Sequence, residues 1–140
     1  METKPEIGFE EIEHTADNAL LVSGRSWEQL LINAARGMNS LMVRNISGIG
    51  DQIRKPAVVD AIDAEGLLVE WLSELAYWAE KELLVFTCFE FQQASSTTVR
   101  ATLIGGHVHQ LQKHIKAVTY HNLEIVKTDK GLTATVVFDV

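Results

Sequence analysis

At 140 residues with 46% apolar side chains, the chain has the size and composition for one domain, residues 1–140, with a core that has little to spare. A formal charge of −7, with the twelve basic residues scattered rather than gathered on one face, disfavours a direct grip on RNA or DNA and suits cations or a basic protein partner. No apolar run approaches the roughly 18 residues of a membrane helix, and Met1-Glu2-Thr3-Lys4-Pro5 lacks the basic then apolar pattern of a secretory signal, so a soluble cytoplasmic protein is expected.

From Phe9 to His14 and from Ala19 to Val22 apolar and polar residues alternate loosely, which predicts two short strands on either side of a turn at His14-Thr15-Ala16-Asp17. Ser26-Trp27-Glu28-Gln29 has the form of a capping box, Ser26 accepting from the backbone and Gln29 reaching back. It opens a helix whose Leu30, Leu31, Ala34, Ala35, Met38, Leu41 and Met42 recur at three and four and share a buried face. Asn45 to Asp51 is rich in Gly, Asn and Ser and predicts a loop; Ala57-Val58-Val59 predicts a short strand whose start Pro56 keeps at an edge. Asp63 caps a second helix with the stripe Leu68, Trp71, Leu72, Leu75, Trp78 and Ala79, read as core rather than as a cofactor box.

Leu84 to Phe91 and Thr97 to Ile104 read as antiparallel strands joined through Gln92 to Ser96, the second ending at Gly105-Gly106. Cys88 is the chain's one cysteine, so it forms no internal disulfide, and its apolar run Leu84-Val85-Phe86-Thr87-Cys88-Phe89 predicts a buried thiol. Ile115 to His121 satisfies neither the helix nor the strand period. Leu123 to Thr128 and Leu132 to Val140 flank Asp129-Lys130-Gly131, whose glycine suits the left-handed position of a short hairpin loop. Runs of strands broken by two helices predict an α+β domain, two main helices packed on a largely antiparallel, barrel-like sheet arrangement. The glycine pairs lack the strand and helix flanks of a phosphate-cradling loop and read as ordinary turns.

Two places offer oxygen ligands. His14-Thr15-Ala16-Asp17 sets an imidazole and a carboxylate three residues apart beside the acidic run Glu10-Glu11-Ile12-Glu13, although an Asp at a turn is by itself most simply a turn former or cap. The terminal Val136-Val137-Phe138-Asp139-Val140 ends an apolar strand on an acid and a free carboxylate, the kind of ligands hard cations prefer.

Together EEIEHTADNALLVSG, LLVEWLSELAYW, IKAVTYHNLEI and the terminal VVFDV resemble the archease family, the small acidic proteins that assist tRNA splicing, over nearly the whole chain. The resemblance implies that Asp17, Asp139 and Val140 bind a divalent metal, calcium most naturally. Three carboxylates about 5 Å apart repel by roughly 3 kcal/mol per pair at an effective dielectric near 20, so such a cluster needs a cation. His14, a poor calcium ligand, is assigned to orienting a carboxylate, bonding backbone or meeting a partner. His109, Lys116, Thr119, Tyr120 and His121 correspond to basic and polar groups of the family, with a partner-facing role beside the metal; packing roles for Lys116 and Tyr120 remain open. Two departures are visible, a shorter connection at Gly105-Gly106-His107-Val108-His109 and Asn18-Ala19 in place of an apolar-Gly pair.

The resemblance implies a non-catalytic activator of a GTP-dependent RNA ligase, promoting guanylylation of the ligase and multiple turnover in tRNA splicing or RNA repair. Two alternatives stand beside it. One is a metal-dependent hydrolase of phosphatase or nuclease type with His14 or His121 as general base, and the other is a chaperone-like protein-binding module.

Overall fold

The computed structural model describes residues 8–12 and 18–140. Among them the order is β1 (Phe9–Ile12), β2 (Asn18–Gly24), α1 (Trp27–Met42), β3 (Ile53–Asp60), α2 (Ala64–Glu82), β4 (Leu84–Ala94), β5 (Thr98–His107), β6 (Ala117–Thr119), β7 (Val126–Thr128) and β8 (Gly131–Asp139), with a short 3-10 turn at Ile46–Gly48. The strands make two antiparallel sheets, β1-β2-β8-β6 with β7 also on β8, and β3-β5-β4. The α+β class is as expected, but the barrel-like arrangement is not. Closure requires every strand to have two neighbours, and β1, β6, β3 and β4 each end a row.

The helices bridge the sheets: α1 touches β1, β2, β8 and β4, while α2 touches β3, β4 and β6. Ser26 caps α1 by accepting from the Gln29 N–H at 3.1 Å. The reciprocal half of the expected capping box is replaced, because the Gln29 amide donates to Asn33 Oδ1 at 2.9 Å. Asp63 caps α2, accepting from the Gly66 N–H at 2.7 Å. The predicted apolar stripes of both helices are buried, apart from the partly buried Trp78, and Trp71 joins them, donating from Nε1 to the Leu31 carbonyl at 3.0 Å.

Three expectations fail in the second sheet, each for its own reason. β4 shifts register against β5 between Phe86 and Cys88, a bulge that reverses which face each later residue takes. Phe86 thus points to Trp78, and beyond the bulge Phe89 and Phe91 pack on Trp71. Cys88 is turned outward and is exposed, not buried. The strand β5 does not end at Gly105-Gly106 but runs through them to His107, so these glycines are not a turn. They are small because of close approach: a Cβ on Gly105 would fall on the Val85 carbonyl, and one on Gly106 would meet the Gly50 carbonyl oxygen at 2.9 Å. Pro56 sits within β3 rather than at its start, which the edge position of that strand permits.

Beside the bulge, Asn39 of α1 is 3% exposed and donates from Nδ2 to the Phe86 carbonyl at 2.7 Å. The ambiguous segment 115–121 resolves into β6 followed by a turn in which Leu123 N–H donates to the Tyr120 carbonyl and Asn122 adopts φ 52°. The last hairpin turns on Asp129 and Lys130 alone, with Thr128 opposite Gly131 at φ 133°, and β7 is shorter than predicted. β8 therefore shares one edge between β7 at its start and β6 at its end, and gives the other to β2.

Candidate functional site

β8 delivers the chain end to a fixed place. Val136 and Phe138 are fully buried, and the alternation of a strand then turns Asp139 to solvent, where it is exposed; Val140 beyond it is 36% exposed. Ala117 lies opposite Asp139, and the Lys116 N–H donates to the Asp139 carbonyl at 2.7 Å. On the other side Asn18 opens β2 opposite Phe138 and donates from Nδ2 to Glu11 Oε1 at 3.0 Å. Asp17 and His14 lie outside the described residues. The Asp139 side chain offers only oxygen donors, which suit a hard cation. Among the described residues no group of three or more His, Cys, Asp and Glu side chains is spaced to share an ion.

The other candidates spread along β6 and its flanks. Lys116 is exposed at the β6 end nearest Asp139. Tyr120 is 58% exposed just past the far end of that strand, about 10 Å along it from the residue opposite Asp139. The Thr119 hydroxyl donates to the Val137 carbonyl at 3.0 Å and accepts from the His121 N–H at 3.3 Å, while the His121 ring stands 3.3 Å from the Asn122 amide. His109 is exposed in the connection from β5 to β6, which is pinned by buried Leu111 and Ile115 and by the Gln112 N–H donating to the Met42 carbonyl at 2.7 Å.

Sequence reasoning missed the partner of β6. One side of α2 faces this strand across a groove, which holds a cavity of 380 Å³ next to Asp60, Asp63, Gly66, Glu70 and Tyr120. A second cavity of 260 Å³ is lined by Ser73, Tyr77 and Glu80 of α2 and by residues 115–118. Glu65 ties the helix to the far bank, accepting from the Ile125 N–H at 2.9 Å. Glu80 pairs with His114 Nδ1 at 2.8 Å, both side chains more than half exposed. Next to it the Tyr77 hydroxyl takes a 2.8 Å hydrogen bond from Lys81, and that bond, followed by charge interaction with the same tyrosine, raises the lysine pKa above its ordinary 10.5. No spacing signal announces these groups, because the facing residues come from elements distant in the chain.

Residues 9–140 match the model of the Archease protein family. The chain belongs to the archease family. The archease of Methanosarcina mazei is 33% identical over 140 residues, an alignment covering 94% of this chain and 95% of that protein. The solution structure of protein 1598 of Methanobacterium thermoautotrophicum matches with a TM-score of 0.77 at 26% identity, covering 96% of this chain and 100% of that one. The crystal structure of an archease from Thermotoga maritima, described as a possible chaperone, matches with a TM-score of 0.64 at 24% identity, over 100% of this chain and 98% of that one, and shows the shared fold. The fold shared with these structures is α+β, in this chain two helices bridging two antiparallel sheets.

Proposed function

We propose that this archease is a metal-binding, non-catalytic activator of a GTP-dependent RNA ligase, acting in tRNA splicing or RNA repair to promote ligase guanylylation and repeated turnover. The observation that carries the reading is a register: Asn18 and Phe138, the chain neighbours of Asp17 and Asp139, are cross-strand partners. Asp17, Asp139 and Val140 are the ligands in this reading, and a calcium-type ion there supplies a fixed positive charge among carboxylates that otherwise repel. The chain's own part is structural. Phe138 and Val136 anchor β8 in the core, the Lys116 N–H holds the Asp139 carbonyl, and the Asp139 side chain is left pointing to solvent where a partner can reach it.

Family membership and the net charge of −7 support a protein partner over direct RNA binding. The position of His121, at a turn beyond the far end of β6 from Asp139, favours this reading over a hydrolase that uses His121 as base. The test is a guanylylation and ligation assay with the cognate ligase. Addition of the protein should raise guanylylation and allow multiple turnover, and Asp17→Ala or Asp139→Ala should abolish the gain; ligase activity indifferent to all three proteins would end the proposal.

A further inference from the structure

The groove between α2 and β6 has features that the metal end does not explain. On the helix side, Asp63, Gly66, Glu70, Ser73, Tyr77 and Glu80 recur at three and four and form one stripe, with glycine and serine leaving room where longer side chains would fill it. On the other side is β6, the last strand of its row, paired with β8 along one edge and, among the described residues, with no strand along the other. A strand edge of this kind is a template for added backbone. Seven large apolar side chains are exposed among the described residues, and three of them stand along this one groove: Ile62 at 98%, Tyr120 at 58% and Tyr77 at 51%. Such clustering marks a contact surface.

Charge decides what kind of occupant fits. The larger cavity is lined by Asp60, Asp63 and Glu70 and by no lysine or arginine, and among the described residues none of the three forms an ion pair. Asp60 is engaged by the Thr98 hydroxyl and Asp63 by the Gly66 N–H, which leaves Glu70 as the cavity's carboxylate without such a partner among the described residues, with Tyr120 lining the same cavity. A carboxylate beside an aromatic face is suited to an ammonium or guanidinium group. A second copy of this chain would bring another net charge of −7 to an acidic groove.

We infer that the α2–β6 groove is the docking channel for an extended segment of the partner protein, its backbone alongside the free edge of β6 and its lysine or arginine seated between Glu70 and Tyr120. The inference rests on the activator reading, with the ligase as the partner, and extends it to a surface separate from the ligands at the chain end.

The experiment measures binding of the full-length protein to RNA-free cognate ligase by calorimetry, with guanylylation followed in parallel, for the wild type, Glu70→Lys, Ser73→Arg and the remote control Glu28→Lys. All variants are first checked for an unchanged melting temperature. The expected result is a loss of affinity of roughly tenfold or more for Glu70→Lys and Ser73→Arg and none for Glu28→Lys. Hydrogen exchange should also show the amides of Ala117–Thr119 protected on ligase binding. If the wild type binds ligase but all variants bind equally, or Glu28→Lys loses as much as Glu70→Lys, the groove is not the contact while the activator reading stands. If the wild type neither binds nor stimulates ligase, the activator reading falls and this one with it. Self-association in the ultracentrifuge that Ser73→Arg abolishes would assign the groove to a second copy and overturn the proposal.

Discussion

Taking the amide from Asn39 should destabilise the fold more than its size implies. The side chain is 3% exposed and its Nδ2 reaches the Phe86 carbonyl at 2.7 Å, at the last residue before the β4 bulge. Asn39→Leu keeps most of the volume but removes the donor, and leaving a buried carbonyl without it costs about 1–3 kcal/mol. Asn39→Ala adds a cavity, for a total of about 2–4 kcal/mol. Over 140 residues, unfolding entropies of about 2.1 cal/mol/K per residue convert each kcal/mol into about 3.4 °C, so Asn39→Ala should melt roughly 7–14 °C lower and Asn39→Leu roughly 3–10 °C lower. Asn39→Asp should be worse than Asn39→Leu at neutral pH, since an ionised carboxylate faces the carbonyl lone pairs in a dry site. Calorimetric melting of the set is the assay. An Asn39→Leu protein as stable as the wild type would refute the claim that this hydrogen bond holds α1 to the bulge.

Gly105→Ala should cost more than about 2 kcal/mol in a urea titration, because the new Cβ falls on the Val85 carbonyl and one strand must move. Tyr77→Phe should bring the Lys81 pKa back toward 10.5 in an NMR titration, since the raised value rests on the tyrosine hydroxyl. A raised lysine pKa stabilises the fold fully below 10.5 and ceases to do so as pH climbs through the folded value, so wild-type and Tyr77→Phe stabilities should converge only in strong alkali. A C-terminal extension beyond Val140 should weaken calcium binding in a calorimetric titration while an N-terminal tag leaves it unchanged. Equal affinities would remove the terminal carboxylate from the ligand set.

Local chemistry was enough to read both helices. Ser26 and Asp63 cap where their side chains can reach a backbone N–H three residues on, and the apolar repeats of α1 and α2 point inward because a helix has only one period to obey. The α+β class, the terminal strand with its outward acid and the family resemblance were legible in the same way, from residues adjacent in the chain. What the sequence could not decide are the outcomes of pairing. An apolar run does not say where a strand will bulge, and one extra residue before Cys88 turned an expected buried thiol outward and brought Phe89 and Phe91 onto Trp71. Gly105 and Gly106 look like a turn until the strands that crowd them are known. The two open sheets in place of a barrel and the groove between α2 and β6 likewise depend on which edges meet between elements distant in the chain. Burial periodicity is local, whereas register and neighbourhood are properties of the assembled fold.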